Sequence, residues 1–509
     1  MPTAAHAFKK INIISVTTIL SIWALLYLPN LRTSPSWYGD EGLALTAGLN
    51  VAHGIPAHGS FWNTFWNSYA PYQPAYEFTI GWAARIANGD IIGPRLVNTL
   101  FALITAFVIA IGGRKIMGPI FSLGSALIFL TFEQNVIHFR WIFTHNLIAL
   151  GFAIAFIGLS GKITRQSDQI AGLGLAISAL ALPLSIYGFI AGGLIRCKHP
   201  RSWLPVMGPY ILVTGTSLAL GYFLYPKEGF IWSDLIDTWR FYTEASQENG
   251  GGFKFIENIL RFFLQDPFHA FGFITFLICL QRNVYAIGLS SLCIAFLLLQ
   301  NRQNLTTFYY QAIIISPLIS LSYGVAFQKI YFYALRTKLS SQMLKLIMRS
   351  IPFAIAVLFF LSVLPQSLSG TLKPRIAYWT TQSISEVEAA AKWINLHSSI
   401  EDLVICHQNI AWLLKCRTAD YLQAATWAGY STWPFKIPLR KDQFRYEPNL
   451  RAARYAVVAD IDQRWTFHQP NVSEVISIFQ SEKWRVVWSG DHYHIFENPQ
   501  LYNPYSKNN

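Results

Sequence analysis

The chain reads as a polytopic α-helical membrane protein that ends in a small α/β domain, and three observations predict this. Of its 509 residues 53% are hydrophobic and only 13% charged, where soluble chains carry roughly a quarter charged residues, so an ordinary soluble enzyme is excluded. Apolar stretches of about 20 residues, enough to cross a bilayer, recur up to about residue 370. Beyond that point the sequence turns into a soluble mixture of helical and strand periods.

The apolar stretches lie near 11–31, 96–112, 119–137, 146–161, 169–183, 185–196, 203–225, 267–281, 284–300, 311–327 and 351–367, which gives about eleven spans. The two around Pro183 are short and read as half-length or re-entrant helices. Lys9 and Lys10 precede the first stretch and no small-residue cleavage site follows it, so it is expected to stay as the first span. In the C-terminal part VEAAAKWINLH has helical spacing, DLVIC and YAVVAD read as buried strands, and WRVVWSGDHYHIF reads as a hairpin or two edge strands. The predicted division is a transmembrane domain over 1–369, with a long external loop at 32–95, and an extracytoplasmic α/β domain over 370–509.

A net charge of +13 would suggest nucleic acid in a soluble protein. Here the charges sort by side of the membrane, and no nucleic acid is expected. Lys9, Lys10, Arg114, Lys115, Lys162, Arg165, Arg196, Lys198 and Arg201 fall in loops of one side, with Asp168 as the only acid among them. Asp40, Glu41, Glu77, Asp90 and Glu133 fall on the other. Basic residues stay in the cytoplasm during insertion. The expected placement is therefore a multi-pass protein of the plasma (inner) membrane, N-terminus inside and C-terminal domain outside. Cys406 and Cys416 would then meet an oxidising compartment, where a disulfide between them and two free thiols are both open readings. No Cys/His spacing resembles a zinc site.

The candidate chemistry begins at WYGDEG, residues 37–42, just past the first span. Leu43, Ala47 and Val51 follow Asp40 at helical spacing, so one reading makes Asp40 an N-cap with Glu41 in the first turn. The other makes the pair acid/base machinery at the membrane surface. Aromatic residues Phe61, Trp62, Phe65, Trp66, Tyr69 and Tyr72 are either an interfacial belt or a platform for a lipid or a sugar ring.

The order of an Asp-Glu pair after the first span, then YAPYQPAYEFTIGWAARI, IGPRLVN and GGRKIMG, resembles the GT-C membrane glycosyltransferases. It is most similar to those related to protein O-mannosyltransferases and to the aminoarabinose transferase acting on lipid A. Pro71, Pro74, Tyr76, Arg95, Leu96, Gly113 and Arg114 match that pattern, and HFRWIFTHN resembles the second external loop of the family. The likeness covers the first 160 residues or so, and the later spans only by layout.

What the resemblance implies is transfer of a sugar from a polyprenyl-phosphate-linked donor, on the extracytoplasmic face, to a hydroxyl of a lipid, polysaccharide or protein acceptor. Inversion at the anomeric carbon is implied with it. Asp40 is then the general base and Glu41 a holder of neighbouring helix termini. Arg140 is expected at the donor phosphate, with Lys227, Arg240 and Lys254 as competitors, because a cation stabilises a departing phosphate. His53, Tyr69, His145 and Asn146 are expected substrate contacts. Many relatives carry an Asp where this chain has His145 and Asn146, so no obligatory metal or other cofactor is predicted, a divalent ion being the alternative. Two rivals stand beside this reading: a lipid or glycolipid transporter or flippase, and a scaffold without chemistry.

Overall fold

The computed structural model describes residues 2–52, 74–181, 183–224, 266–280, 312–336, 342–374, 380–430, 446–468 and 472–501. In chain order the described elements are α1 (Pro2–Tyr27), β1 (Trp37–Tyr38), α2 (Gly39–Ala52), α3 (Pro74–Ile86), α4 (Ile92–Gly112), α5 (Arg114–Thr131), α6 (Glu133–Arg140), α7 (Thr144–Ser160) and α8 (Arg165–Ala179). Then come α9 (Ile186–Ile195), α10 (Pro200–Leu224), α11 (Pro267–Leu280), α12 (Ser316–Arg336) and α13 (Gln342–Ser369). The last stretch holds β2 (Thr381–Gln382), α14 (Ile384–His397), β3 (Leu403–Ile405), α15 (Gln408–Ala411), β4 (Arg417–Ala419) and α16 (Tyr421–Trp427). It ends with β5 (Tyr455–Ala459), α17 (Asp460–Arg464), α18 (Val472–Ser481), β6 (Arg485–Ser489) and β7 (Tyr493–Glu497). The described residues of 1–35, 95–217 and 246–375 cluster as one unit, and those of 36–94, 218–245 and 376–509 as another.

The described elements of the first unit are all helices. Among the described residues, Ile92–Gly112, Ile313–Arg336 and Gln342–Ser369 are long and apolar enough to cross a membrane, and α5 with α6 forms a fourth candidate bent by 62°. The stretch read as one span at 119–137 is thus two helices, and the break at Phe132 turns Glu133 into the first residue of α6. At the other end of α5, Gly118 (φ 77°) stands directly before Pro119, a conformation that only glycine adopts readily. Helices α7 and α8 touch along small residues: a Cβ on Gly158 would lie 2.4 Å from the backbone nitrogen of Ala171. Packing of this kind replaces the hydrophobic drive that is missing in lipid. The pair around Pro183 is short, as the sequence predicts: α9 has 10 residues.

The second unit includes the segment that follows Pro35 and the C-terminal α/β fold. Its five-stranded sheet runs β4-β3-β5-β7-β6, with β3 parallel to β4 and β5 and the last two strands antiparallel. The strand YAVVA is buried at every position, as a central strand covered on both faces requires. Ile405, Tyr421, Leu422, Val458, Val475 and Trp484 form the core that α16 and α18 close. Strand β1 pairs antiparallel with β2, Trp37 opposite Gln382 and Tyr38 opposite Thr381.

Helices α2 and α3 pack side by side and run parallel. Gly48 meets Gly81, and one turn further on Arg85 Nη1 donates to the Ala52 carbonyl at 2.9 Å. A Cβ on Gly81 would sit 1.7 Å from the Gly48 carbonyl oxygen, so nothing larger than glycine fits at this crossing.

Cys406 and Cys416 are free and buried, which corrects the disulfide reading. The parallel register pairs Leu403 with Arg417 and Ile405 with Ala419, so Cys416 lies before one end of the shared ladder and Cys406 beyond the other. Four residue steps of about 3.3 Å separate them, well past the roughly 7 Å that a disulfide can span. Burial pushes the Cys416 thiol up to about 11 and raises that of Cys406 well above the ordinary thiol range.

Two buried acids follow the parallel strands. Asp420 accepts the Gln423 N–H at 2.7 Å in a reciprocal cap of α16. Asp462 accepts the Ala459 N–H and the Thr466 hydroxyl, both at 3.0 Å. Burial raises them to about 8 and about 7, respectively. His407, buried at the end of β3, is lowered to about 4.

Two outcomes are expected. Gly81→Val lowers the melting temperature, at the cost of about 1–3 kcal/mol typical of overpacking; an unchanged melting temperature would contradict the close helix crossing. For pH, carboxyls raised on folding stabilise fully only below their unfolded values and lose that contribution as pH rises through 7 and 8. His407, lowered on folding, acts oppositely and only between about 6.5 and 4. The melting temperature should therefore fall on going from about pH 6.5 to 8.5, and Asp462→Asn should flatten the slope. A wild-type melting temperature that does not vary over that window would refute the buried, proton-bound acids.

Candidate active site

The N-terminus of α2 is assembled from both ends of the second unit. The helix begins at Gly39, so Asp40 lies within the first turn rather than capping it. Glu41 is fully buried and its Oε1 accepts the Tyr38 N–H at 3.1 Å, the backward-reaching half of a capping box. Asp40 is half-buried, and its Oδ1 accepts from Gln408 Nε2 at 3.1 Å. Gln408 opens α15 in the loop region that leaves β3, where the sequence reads His407-Gln408-Asn409.

That loop clasps the segment before and after Asp40. The Trp37 indole N–H donates to the Asn409 carbonyl at 3.0 Å, and its ring packs on Trp412 with centroids 5.4 Å apart. Asn409 Nδ2 donates to Gln382 Oε1 at 2.9 Å, and the Tyr493 hydroxyl donates to the same oxygen. A Cβ on Gly42 would lie 2.2 Å from the Gln408 carbonyl oxygen, so a glycine is needed for the loop to reach the helix. On α3, Glu77 is buried, and its Oε2 has no partner among the described residues. Burial raises its pKa well above the usual carboxylate range.

In the first unit two buried arginines hold the chain that leaves α1. Arg95 Nη1 donates to the carbonyls of Leu31 at 2.9 Å, Pro35 at 3.0 Å and Arg32 at 3.3 Å. Arg140 Nη1 donates to the Leu26 carbonyl at 3.2 Å and to Ser367 Oγ at 2.9 Å, and its Nη2 to the Pro29 carbonyl. Carbonyls at a helix C-terminus have no intrahelical donor, and a cation there is favoured by the helix dipole. Arg140, expected at the carrier phosphate, is fully buried; both terminal guanidinium nitrogens are taken by these acceptors, while Nε has no partner among the described residues.

Asn146 and His145, expected to face substrate, lie buried in the first turn of α7. Asn146 Nδ2 lies 2.9 Å from Asn98 Oδ1 and 3.1 Å from the carbonyls of His138 and Trp141. It ties α7 to α4 and to the turn after α6. His145 packs edge-on to Phe143 at 5.9 Å. His53, Tyr69, Lys227, Arg240 and Lys254 lie outside the described residues. Among the described residues no group of three or more His, Cys, Asp or Glu side chains is placed to hold a metal ion.

Sequence reasoning passed over Gln408 and Glu77 as site residues. The usable signal for Gln408 was a run of three polar residues directly after a buried strand, at the carboxyl end of a parallel pair, where α/β folds place their sites. Glu77 carries no signal beyond a first-turn acid.

No known family pattern matches the chain, and no curated protein does. Solved structures do. ArnT from Cupriavidus metallidurans bound to undecaprenyl phosphate is similar over 97% of this chain and 99% of its own, with a TM-score of 0.58 at 14% identity. Its apo state gives a TM-score of 0.60 at 11% identity, over 97% of this chain and 98% of its own. The oligosaccharyltransferase AglB from Archaeoglobus fulgidus, in complex with an inhibitory peptide and a dolichol-phosphate, is similar over 98% of this chain and 75% of its own, at TM-score 0.54 and 13% identity. Spread over nearly the whole chain, this likeness shows that the protein has the GT-C fold of the membrane glycosyltransferases.

Proposed function

We propose that this protein transfers a sugar from a polyprenyl-phosphate carrier to an acceptor hydroxyl on the extracytoplasmic face of the membrane, with Asp40 as general base. The observation that carries the reading is the Asp40 carboxylate, half-buried at the start of α2, whose Oδ1 accepts from the Gln408 amide. It stands five residues after the chain anchored by Arg95 at Pro35. The fold supports the same reading: ArnT was captured with undecaprenyl phosphate and AglB with a dolichol-phosphate. About eleven spans, a cytoplasmic N-terminus and an extracytoplasmic α/β domain complete the proposal.

In this scheme the acceptor oxygen attacks the anomeric carbon while Asp40 takes its proton. The bond from that carbon to the carrier phosphate oxygen breaks, and polyprenyl phosphate leaves with the electron pair. Lys227, Arg240 or Lys254 would meet the negative charge that grows on it. Glu41 and Arg140 enter as holders: one fixes the start of α2, the other the end of α1.

Purified protein in vesicles, given labelled polyprenyl-phosphate sugars and a lipid extract, tests this. Asp40→Asn should cut transfer by about 10²–10⁴-fold, the usual contribution of a general base, with an unchanged melting temperature. Transfer at the wild-type rate would end the assignment, and movement of the carrier between leaflets without transfer would favour a flippase. Arg140→Met should lower stability, by about 1–3 kcal/mol for each carbonyl left unpaired, while carrier affinity is retained. A stable variant that no longer binds carrier would return Arg140 to the phosphate.

A further inference from the structure

His407, Gln408 and Asn409 are each more than nine-tenths buried, and each meets the Asp40 segment differently. The His407 ring lies beside Gly39, where an added Cβ would come within 3.3 Å of it. The Asn409 carbonyl accepts a hydrogen bond from the Trp37 indole N–H. Of these three, Gln408 is the one that reaches the carboxylate of Asp40, at 3.1 Å. A carboxylate has no hydrogen to donate, so the NH₂ end of the amide must face it.

The other end of that amide gives the argument its direction. Gln408 Oε1 is buried and has no partner among the described residues. An unpaired buried acceptor weakens a fold, and a methionine of the same length would fill the space without that penalty. The amide is therefore explained by what it does for Asp40.

We propose that Gln408 is a positioning residue, supplied to the active site by the C-terminal α/β region, which fixes the rotamer of the Asp40 carboxylate. A donor to the charged form also favours that form, so the same contact keeps Asp40 ready to accept a proton. This rests on the reading of Asp40 as general base. It makes the α/β region a working part of the site, acting on a residue 368 positions earlier in the chain. Among the described residues, the other titratable groups on this helix and on the elements packed against it are Tyr38, Glu41, Tyr76, Glu77, Arg85 and His407, with Asp460, Asp462 and Arg464 on α17, whose Ile461 approaches Gly39.

The full-length protein, treated with a water-soluble carbodiimide between about pH 4 and 8, reports the protonation of Asp40 by peptide mass spectrometry, because only protonated carboxyls react. Gln408→Met should raise the labelling midpoint of Asp40 by about one pH unit, a tenfold weaker acid. Gln408→Glu, which replaces the donor by a like charge, should raise it further. Unchanged midpoints in both variants would overturn the proposal; one variant suffices if the other does not fold. Labelling requires no sugar transfer, so the two readings fail separately. If Asp40→Asn still transfers sugar, the base role is lost whatever the midpoints. If the midpoint moves and the pH profile of transfer moves with it, both stand.

Discussion

The seating of the Trp37–Gly42 segment against the polar residues after β3 is the contact on which the presentation of Asp40 depends. A two-residue strand such as β1 has little stability of its own. It persists because Trp37 is bonded to the Asn409 carbonyl and stacked near Trp412, and because β2 pairs with it. The clasp in turn requires Gly42, since any side chain there would collide with the Gln408 backbone. Glycine, tryptophan and the polar loop after β3 thus form one device that presents the start of α2.

A second constraint acts where α1 ends. Leu26, Tyr27 and Leu31 are buried there, and carbonyls that no helix bond satisfies must find donors within the protein. Arg95 and Arg140 provide them, five carbonyls and one serine hydroxyl between the two guanidinium groups. A buried guanidinium is tolerated because those dipoles replace its hydration. The chain from Leu26 to Pro35 is fixed in this way, and it is the chain that continues into Asp40.

Much of this was legible in the sequence. The long apolar runs, the strands at DLVIC and YAVVAD, the WRVVWSGDHYHIF hairpin and the helix over Ile384–His397 follow from hydrophobic period, which burial imposes locally. The Asp-Glu pair could be placed at a helix start for the same reason. Arg140 shows where such reading stops. A lone arginine at a membrane boundary must have anionic or dipolar partners, but sequence does not say whether these are a phosphate or the carbonyls of a helix end 114 positions away. The cysteine pair fails similarly, because its separation is set by the register of β3 against β4. Gln408 lies furthest from local inference: its partner is specified only when the two ends of the chain fold together.

The central claim, that the Asp40 carboxylate takes the acceptor's proton, is tested most directly by chemical rescue. Single-turnover transfer by Asp40→Gly, measured in vesicles with and without formate, asks whether a small free carboxylate can replace the missing side chain. The account predicts a rate that is very low alone and rises with formate concentration. Undiminished transfer by the glycine variant in the absence of formate would contradict it.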